Sequence, residues 1–460
     1  MNLGVALYAQ NIKWVMSSQQ EKFVDLAAPK LEKAGNGFDV EVHLDRAEQT
    51  IEGFGGCFNE LGWAALSHLS NKDRQDVLKE LFKPGVGADF TICRMPLGAN
   101  DFSLGWYSYD ETDGDFAMDH FTIQNDLQTL VPFIKGAQKY NKRLKIWASP
   151  WSPPQWMKYN HHYAEAMFEA GSSFQNGLQP DQVGAPGQNM FIQKDKYFAA
   201  YALYLQKFIQ AYRKQGIAIS MVMPQNEFMS AQVFPSCTWN TTGLAKFISY
   251  LGPAMEKEHV KVFFGTMNSD NPLIADSILN NPQINKYISG AGFQWAGKGA
   301  VGQIHQQYPE LTLYQSEQEC GNGKNDWEYC RYCWDLMKKY LNNGTNAYMY
   351  WNIALPKDGI SHWGWRQNSL VSVDSASGSY TFNNEYYLLK HVSHFVKPGA
   401  RHLALSGPYQ NMLAFRNPDK SIVLVVQNES NNKKNVRIKI GDRMIAPDLP
   451  ADSFDTFFIP

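Results

Sequence analysis

The sequence predicts an α/β fold: a (β/α)8 TIM barrel, with a separate all-β module after it. Three observations carry this. Eight short β-branched and apolar runs alternate with amphipathic helical stretches. Those runs read as continuously apolar more than as strict alternation, the pattern of a parallel sheet covered on both faces. From Arg401 to Pro460 only short strand-like runs remain.

The strand candidates are, in order, Thr50–Phe58, Asp89–Leu97, Leu144–Trp151, Ile217–Phe228, Val260–Thr266, Ile288–Trp295, Leu311–Gln318 and Ala347–Leu355. Helical stretches lie between them at Lys72–Phe82, Gln124–Tyr140, Leu244–Glu256 and Trp327–Leu341. The clearest helix places Phe198, Tyr201, Leu205, Phe208, Ile209 and Tyr212 on one face and stops at Gly216, a C-terminal cap. Strand–helix units in this order close most simply into a parallel barrel with external helices. A last helix near Glu385–His394 precedes the strands His402–Leu405, Met412–Arg416, Ile422–Gln427, Val436–Ile440 and Phe454–Ile459. Phe38–His43 is a similar strand that would pair with this module. The expected division is 1–48 as an N-terminal segment of the β-module, 49–396 as barrel and 397–460 as its C-terminal part.

Composition excludes several classes. Lys+Arg is 42 against Asp+Glu 44, a net charge of -2, with no block of like charges. That balance supplies no basic field for nucleic-acid phosphates. Hydrophobic residues at 44% are enough to build a core. Six cysteines are too few for a disulfide scaffold, and Cys330 with Cys333 reads as a pair of ordinary buried thiols in a helix. His161 and His162 read as loop residues, because no Cys or Asp lies at ligand spacing. No apolar run reaches the roughly 18 residues that span a bilayer. The apolar start Leu3–Ala9 reads either as the tail of a trimmed secretory signal or as a plain first segment.

In such a barrel the chemistry belongs at the C-terminal ends of the strands. Those ends carry Glu52 and Asn59, then Arg94, Asn100 and Asp101, then Trp151 and Trp156. Asn226 and Glu227 follow, then Gln294 and Trp295, Glu317 and Glu319, and Trp351 and Asn352. Amides and carboxylates bond hydroxyls, and indole faces cover sugar rings, so this set suits a neutral polyhydroxylated substrate. Glu227 on strand four and Glu317 on strand seven oppose each other across the mouth. A protonated carboxyl facing a carboxylate is the machinery of glycoside hydrolysis. Glu319, two residues further on, is the alternative nucleophile.

The chain resembles glycoside hydrolase family 30, which includes glucosylceramidases and microbial endo-β-1,6-glucanases. The carriers are I-E-G-F-G-G-C-F-N-E from Ile51, R-M-P-L-G-A-N-D-F-S from Arg94 and A-S-P-W-S-P-P-Q-W from Ala148. They continue with P-Q-N-E from Pro224, Y-Q-S-E from Tyr314, Y-W-N-I-A-L from Tyr350 and the closing β-module. The resemblance implies a barrel fused to a side β-sandwich built from both chain ends, and a retaining mechanism without metal or organic cofactor. It assigns Glu227 as acid/base, Glu317 as nucleophile and Asn226 to the sugar 2-hydroxyl. Asp101, Trp151, Trp351 and Asn368 fall where the family binds the glucosyl ring, with Trp295 a further substrate contact. Arg94 falls beneath the nucleophile as a buried cation. Where glucosylceramidase has His-Trp-Tyr, this chain has Gln294-Trp295-Ala296, so the usual Tyr donor to the nucleophile is missing.

The G-G-C-F-N-E-L-G-W form of the first motif is more like the β-1,6-glucanase branch, and it implies β-1,6-glucan as substrate. The alternatives are a β-glucosidase or glucosylceramidase, and a glycan-binding protein without activity. The long segment Tyr159–Asn189 and the aromatics of Trp106–Tyr109 are expected to shape the outer subsites. A polymeric glycan substrate implies secretion or a periplasmic location.

Overall fold

The computed structural model describes residues 12–35 and 37–460, so the apolar start Leu3–Ala9 lies outside the described residues. The chain divides into two compact units. One is Phe54–Glu385, and the other combines the described residues up to Gly53 with Tyr386–Pro460.

The larger unit is built on a closed parallel barrel. Its strands are β1 (Gly53–Cys57), β2 (Ile92–Leu97), β3 (Lys145–Pro150), β4 (Ile219–Val222), β5 (Lys261–Met267), β6 (Ile288–Gln294), β7 (Thr312–Glu317) and β8 (Ala347–Asn352). Each strand stands where the sequence predicts one. Three short helices were not predicted, Glu60–Ser67, Pro272–Leu279 and Val301–Gln307. They have seven or eight residues, about two turns each, too little for an apolar stripe to repeat. The fourth strand is shorter than expected because the chain leaves the sheet after Val222 to present the segment carrying Glu227.

The barrel is a filled core, not a pore. Ile92, Trp147, Met221, Met223, Phe263, Tyr314, Ala347 and Met349 pack together in its interior. Phe263 and Trp147 lie against Tyr314, at ring separations of 4.9 and 6.3 Å. Close strand approach needs glycine at Gly55, where an added Cβ would sit 1.8 Å from the Ile92 carbonyl oxygen. With the interior occupied, open space for a ligand remains at the strand ends.

The smaller unit is built on a ten-stranded sheet that joins strands from residues 13–50 with strands from residues 401–459. Lys13–Ser18 pairs antiparallel with Ser453–Ile459, and Val40–Thr50 pairs with Arg401–Ser406 and Ile438–Ile440. The expected pairing of the strand at Phe38–His43 with the C-terminal module is therefore present. Register shifts along Val40–Thr50 let the sheet fold around one apolar core that includes Val40, Leu403, Leu424, Val426 and Phe457. From Tyr386 the helix Asn384–Ser393 belongs to this unit, so the two units divide at 385/386, eleven residues before the expected 396/397. His391 Nε2 lies 2.8 Å from Ser17 Oγ, and Thr456 Oγ1 donates to the His391 carbonyl at 2.9 Å. No helix among the described residues is long and apolar enough to cross a membrane.

Candidate active site

Past β4, the chain is hooked to both neighbouring strand ends. Asn226 N–H donates to the Pro150 carbonyl at 2.7 Å, and Thr266 N–H donates to the Gln225 carbonyl at 2.7 Å. Glu227 N–H donates to Thr266 Oγ1 at 2.9 Å, with Glu227 in the left-handed region at φ +44°. A non-glycine residue is held there only when its surroundings over-determine it. The result turns Glu227 toward the end of β7, where Glu317 stands.

Arg94 on β2 is the charge at the base of the site, with no exposed surface. Its Nη1 donates to Glu317 Oε2 at 2.7 Å and its Nη2 to Asn226 Oδ1 at 2.6 Å. Ser149 Oγ accepts two further bonds from the same guanidinium. Three indoles surround it, Trp151 at 4.5 Å, Trp147 at 5.0 Å and Trp351 at 5.5 Å. Pairing, hydrogen bonding and ring quadrupoles together offset the cost of burying this cation.

Gln294, at the end of β6, connects the acidic groups. Its Oε1 accepts from Ser316 Oγ and from Arg94 Nη1, which fixes the amide so that the nitrogen faces the carboxylates. Nε2 then lies 3.1 Å from Glu227 Oε1, from Glu317 Oε2 and from Asn226 Oδ1. Because both glutamate oxygens are 3.1 Å from one atom, they are at most about 6.2 Å apart, twice that distance.

Burial and the charge of Glu317 push Glu227 up to about 8. Burial also raises Glu317, but Arg94, Trp295 and Gln294 all donate against that shift. The donors opposing the shift are therefore concentrated on Glu317, and the environment favours a proton on Glu227 over one on Glu317. Asp101 is pushed up as well, by burial and by both glutamates. Its Oδ1 is buried with no hydrogen-bond partner among the described residues. Asn226 Oδ1 already accepts from Arg94 and Thr266, so its amide N–H groups are left for the pocket.

These groups line a cavity of about 360 Å³. Its wall includes Asp101, Trp151, Asn226, Glu227, Trp295, Ala296 and Glu317, which gathers most of the expected residues. Arg94 does not reach this wall and acts on Glu317 and Asn226 from below. Two expected ring-binding residues are placed elsewhere. Trp351 lies behind Trp151, with ring centroids 5.1 Å apart, and is buried off the wall. Asn368 is fully buried, donating to Glu385 at 2.7 Å and accepting from the Gly323 and Asn325 amides. Its neighbour Gln367 faces the cavity instead, and adjacent residues in a loop give sequence spacing no means to tell them apart.

Glu319 stands apart from the cavity wall. The strand ends at Glu317, so the two-residue alternation does not extend to Glu319. Its carboxylate is held by Lys298 at 2.5 Å and Tyr332 at 2.7 Å, away from the cavity wall. The residues that sequence reasoning undervalued are Gln294 and Thr266. Gln294 was visible only as a strand-end amide in place of a histidine. Thr266 closes the predicted fifth strand, Val260–Thr266, and its residue type alone did not single it out.

The segment Tyr159–Asn189 supplies no residue to the cavity wall. It acts through packing: Trp106 stacks on Tyr163 at 5.5 Å, and Trp363 lies 4.9 Å from Trp106. All six cysteines, Cys330 and Cys333 included, are buried. Among the described residues no group of three or more His, Cys, Asp or Glu is placed to hold a metal ion.

Residues 51–396 match the family model of the glycosyl hydrolase family 30 TIM-barrel domain, and residues 399–457 match that of its β-sandwich domain. The chain belongs to glycosyl hydrolase family 30. It is therefore a glycoside hydrolase, acting on carbohydrate. The lysosomal acid glucosylceramidase of Mus musculus is 26% identical over 454 residues, covering 93% of this chain and 83% of that protein. An endo-1,6-β-D-glucanase of Aspergillus fumigatus is also 26% identical, over 479 residues covering 96% and 93% of the two chains. A solved endo-β-1,6-glucanase structure matches the fold with a TM-score of 0.81 at 23% identity, covering 98% of this chain and 99% of that one.

Proposed function

We propose that this family 30 hydrolase is an endo-β-1,6-glucanase that cleaves its glucosidic bond with retention of configuration. The observation that carries the mechanism is the single Gln294 nitrogen in contact with both glutamates. That shared contact limits the two oxygens to at most about 6.2 Å, which supports a retaining pair over the roughly 6.5–9.5 Å separation that an inverting enzyme leaves for water.

In the first step Glu317 attacks the anomeric carbon, and Glu227 gives its proton to the departing glycosidic oxygen. The leaving sugar departs with a new hydroxyl, and the glucosyl group stays as an ester on Glu317. In the second step water attacks the same carbon while Glu227 takes its proton, and Glu317 is released as a carboxylate. Asn226 donates to the 2-hydroxyl, Asp101 takes a hydroxyl with its unpartnered oxygen, and Trp151 and Trp295 face the ring.

The first strand-end motif and near full-length similarity to the Aspergillus fumigatus endo-1,6-β-D-glucanase support the β-1,6 linkage. A polymeric wall glucan is met outside the cytoplasm, which favours a secreted or periplasmic enzyme. The test offers linear β-1,6-glucan and glucosylceramide side by side. A ladder of oligosaccharides from the glucan, with β-configured products by NMR at early times, is expected. Release of ceramide without glucan cleavage overturns the substrate, and α-configured products overturn the mechanism.

A further inference from the structure

Beyond the residues around the two glutamates, the cavity has a second wall. Ser230, Gln232 and Phe234 come from the segment after Glu227, and Trp365 and Gln367 come from the loop after β8. Trp365 is 43% exposed, and of the large apolar side chains exposed among the described residues it alone lines the cavity.

Its surroundings show that this exposure is not slackness. Trp365 N–H donates to Ser361 Oγ at 3.0 Å, and Ser361 N–H donates back to the Trp365 carbonyl at 2.7 Å. Gly364 N–H closes the same turn on the Ser361 carbonyl at 3.0 Å. Gly364 has φ +77°, and a Cβ there would come within 2.3 Å of the Phe174 ring, so the turn rests directly on the long segment after β3. Phe234 meets the Trp365 indole edge-on at 6.3 Å. Phe234 is itself fixed, because Gln232 O accepts from the Glu165 and Ala166 amides and Val233 O accepts from Asn176 Nδ2. A large apolar face held still in water at the rim of a cavity is a preorganised contact surface.

The side of the cavity follows from the acid. Ser230 N–H donates to the Glu227 carbonyl at 2.8 Å, so the segment bearing Phe234 runs directly from the residue that protonates the leaving oxygen. We infer that Trp365, backed by Phe234, is the stacking platform for the first sugar ring on the leaving-group side, with Gln232 and Gln367 bonding its hydroxyls. This rests on the hydrolase mechanism proposed above and assigns the part of the substrate beyond the cleaved bond. The ligand is a pyranose with a C–H-rich face. Ser230, Gln232, Asn268 and Gln367 line the same cavity with polar groups, which suits a hydroxylated ring and penalises an acyl chain.

The test compares two substrates. A β-1,6-linked glucotetraose places a ring on the platform, whereas β-glucosyl fluoride has a leaving group without one. Trp365→Ala is expected to lower kcat/KM at least tenfold more for the tetraose than for the fluoride, chiefly through KM, and Trp365→Phe is expected to recover most of that difference. Equal losses on the two substrates, or none on either, overturn the assignment. So does a larger loss on micellar glucosylceramide than on the tetraose, which would make the surface a lipid site. Affinity of the tetraose for Glu227→Gln, with and without Trp365→Ala, is read by calorimetry and needs no turnover. If the wild type hydrolyses neither substrate, the proposed function fails, and a tenfold loss of tetraose affinity, or its absence, still decides the platform.

Discussion

Gln294 Nε2 lies 3.1 Å from Glu317 Oε2, and the same atom lies 3.1 Å from Glu227 Oε1 on the facing strand end. One neutral amide thus donates to both acidic groups. It favours the ionised form of whichever glutamate carries the charge and adds no titrating group of its own. Hydrogen bonds to charged groups are worth about 1.5–3 kcal/mol. Gln294→Leu is therefore expected to lower kcat/KM about 10–100-fold and to move the acidic limb of the pH profile upward. A profile that keeps its shape while activity falls would assign the loss to packing alone.

The roles of Glu227 and Glu317 separate by substitution. Glu227→Gln keeps the attacking group but loses proton transfer, so hydrolysis of the oligosaccharide is expected to fall about 10²–10⁴-fold. Azide, which needs no general base, should restore turnover of an activated glucoside and yield the β-glucosyl azide. Glu317→Gln is expected to abolish turnover, leaving less than about 10⁻³ of the rate. Glu319→Gln breaks only the contacts to Lys298 and Tyr332. If Glu317→Gln kept its turnover while Glu319→Gln lost it, the assignment would be reversed.

The proton on Glu227 sets the alkaline limit. Its carboxyl is pushed up to about 8, and the first step needs the protonated form. Activity on the oligosaccharide should hold below that value and fall as pH rises through it. On the acid side activity falls as Glu317 gains a proton. Asp101 and Arg94 also face this pair. If Glu227 is the titrating acid, Asp101→Asn retains the alkaline limb and Glu227→Gln lacks it. A limb near 8 that disappears with Asp101→Asn instead would assign the proton to Asp101.

Lys158 and Glu165 form an ion pair at 3.2 Å, with both side chains fully buried. Lys158 Nζ also donates to the Tyr163 and Ser236 carbonyls, and Glu165 Oε2 accepts from Thr238 N–H. The pair ties the long segment after β3 to the segment bearing Phe234. Lys158→Met leaves a buried charge alone and is expected to cost about 3–5 kcal/mol in denaturant unfolding. The double variant Lys158→Met with Glu165→Leu should recover part of that loss. A single variant within about 1 kcal/mol of the wild type would show that the pair is not needed for stability.

Apolar runs long enough to be covered on both faces identified all eight barrel strands, because burial in a parallel sheet leaves its mark on every residue of the run. The strand-end motifs likewise marked Asn226, Glu227 and Glu317 as residues that converge on one mouth. Only the tertiary structure decided what loops and amides do there. Gln367 rather than Asn368 faces the cavity, and Trp351 stands behind Trp151. Gln294 joins the two glutamates. Regular strands repeat every two residues, so sequence position fixes side-chain direction within them. Past the strand ends that rule stops, and the direction of each side chain is set by contacts with residues far away in the chain.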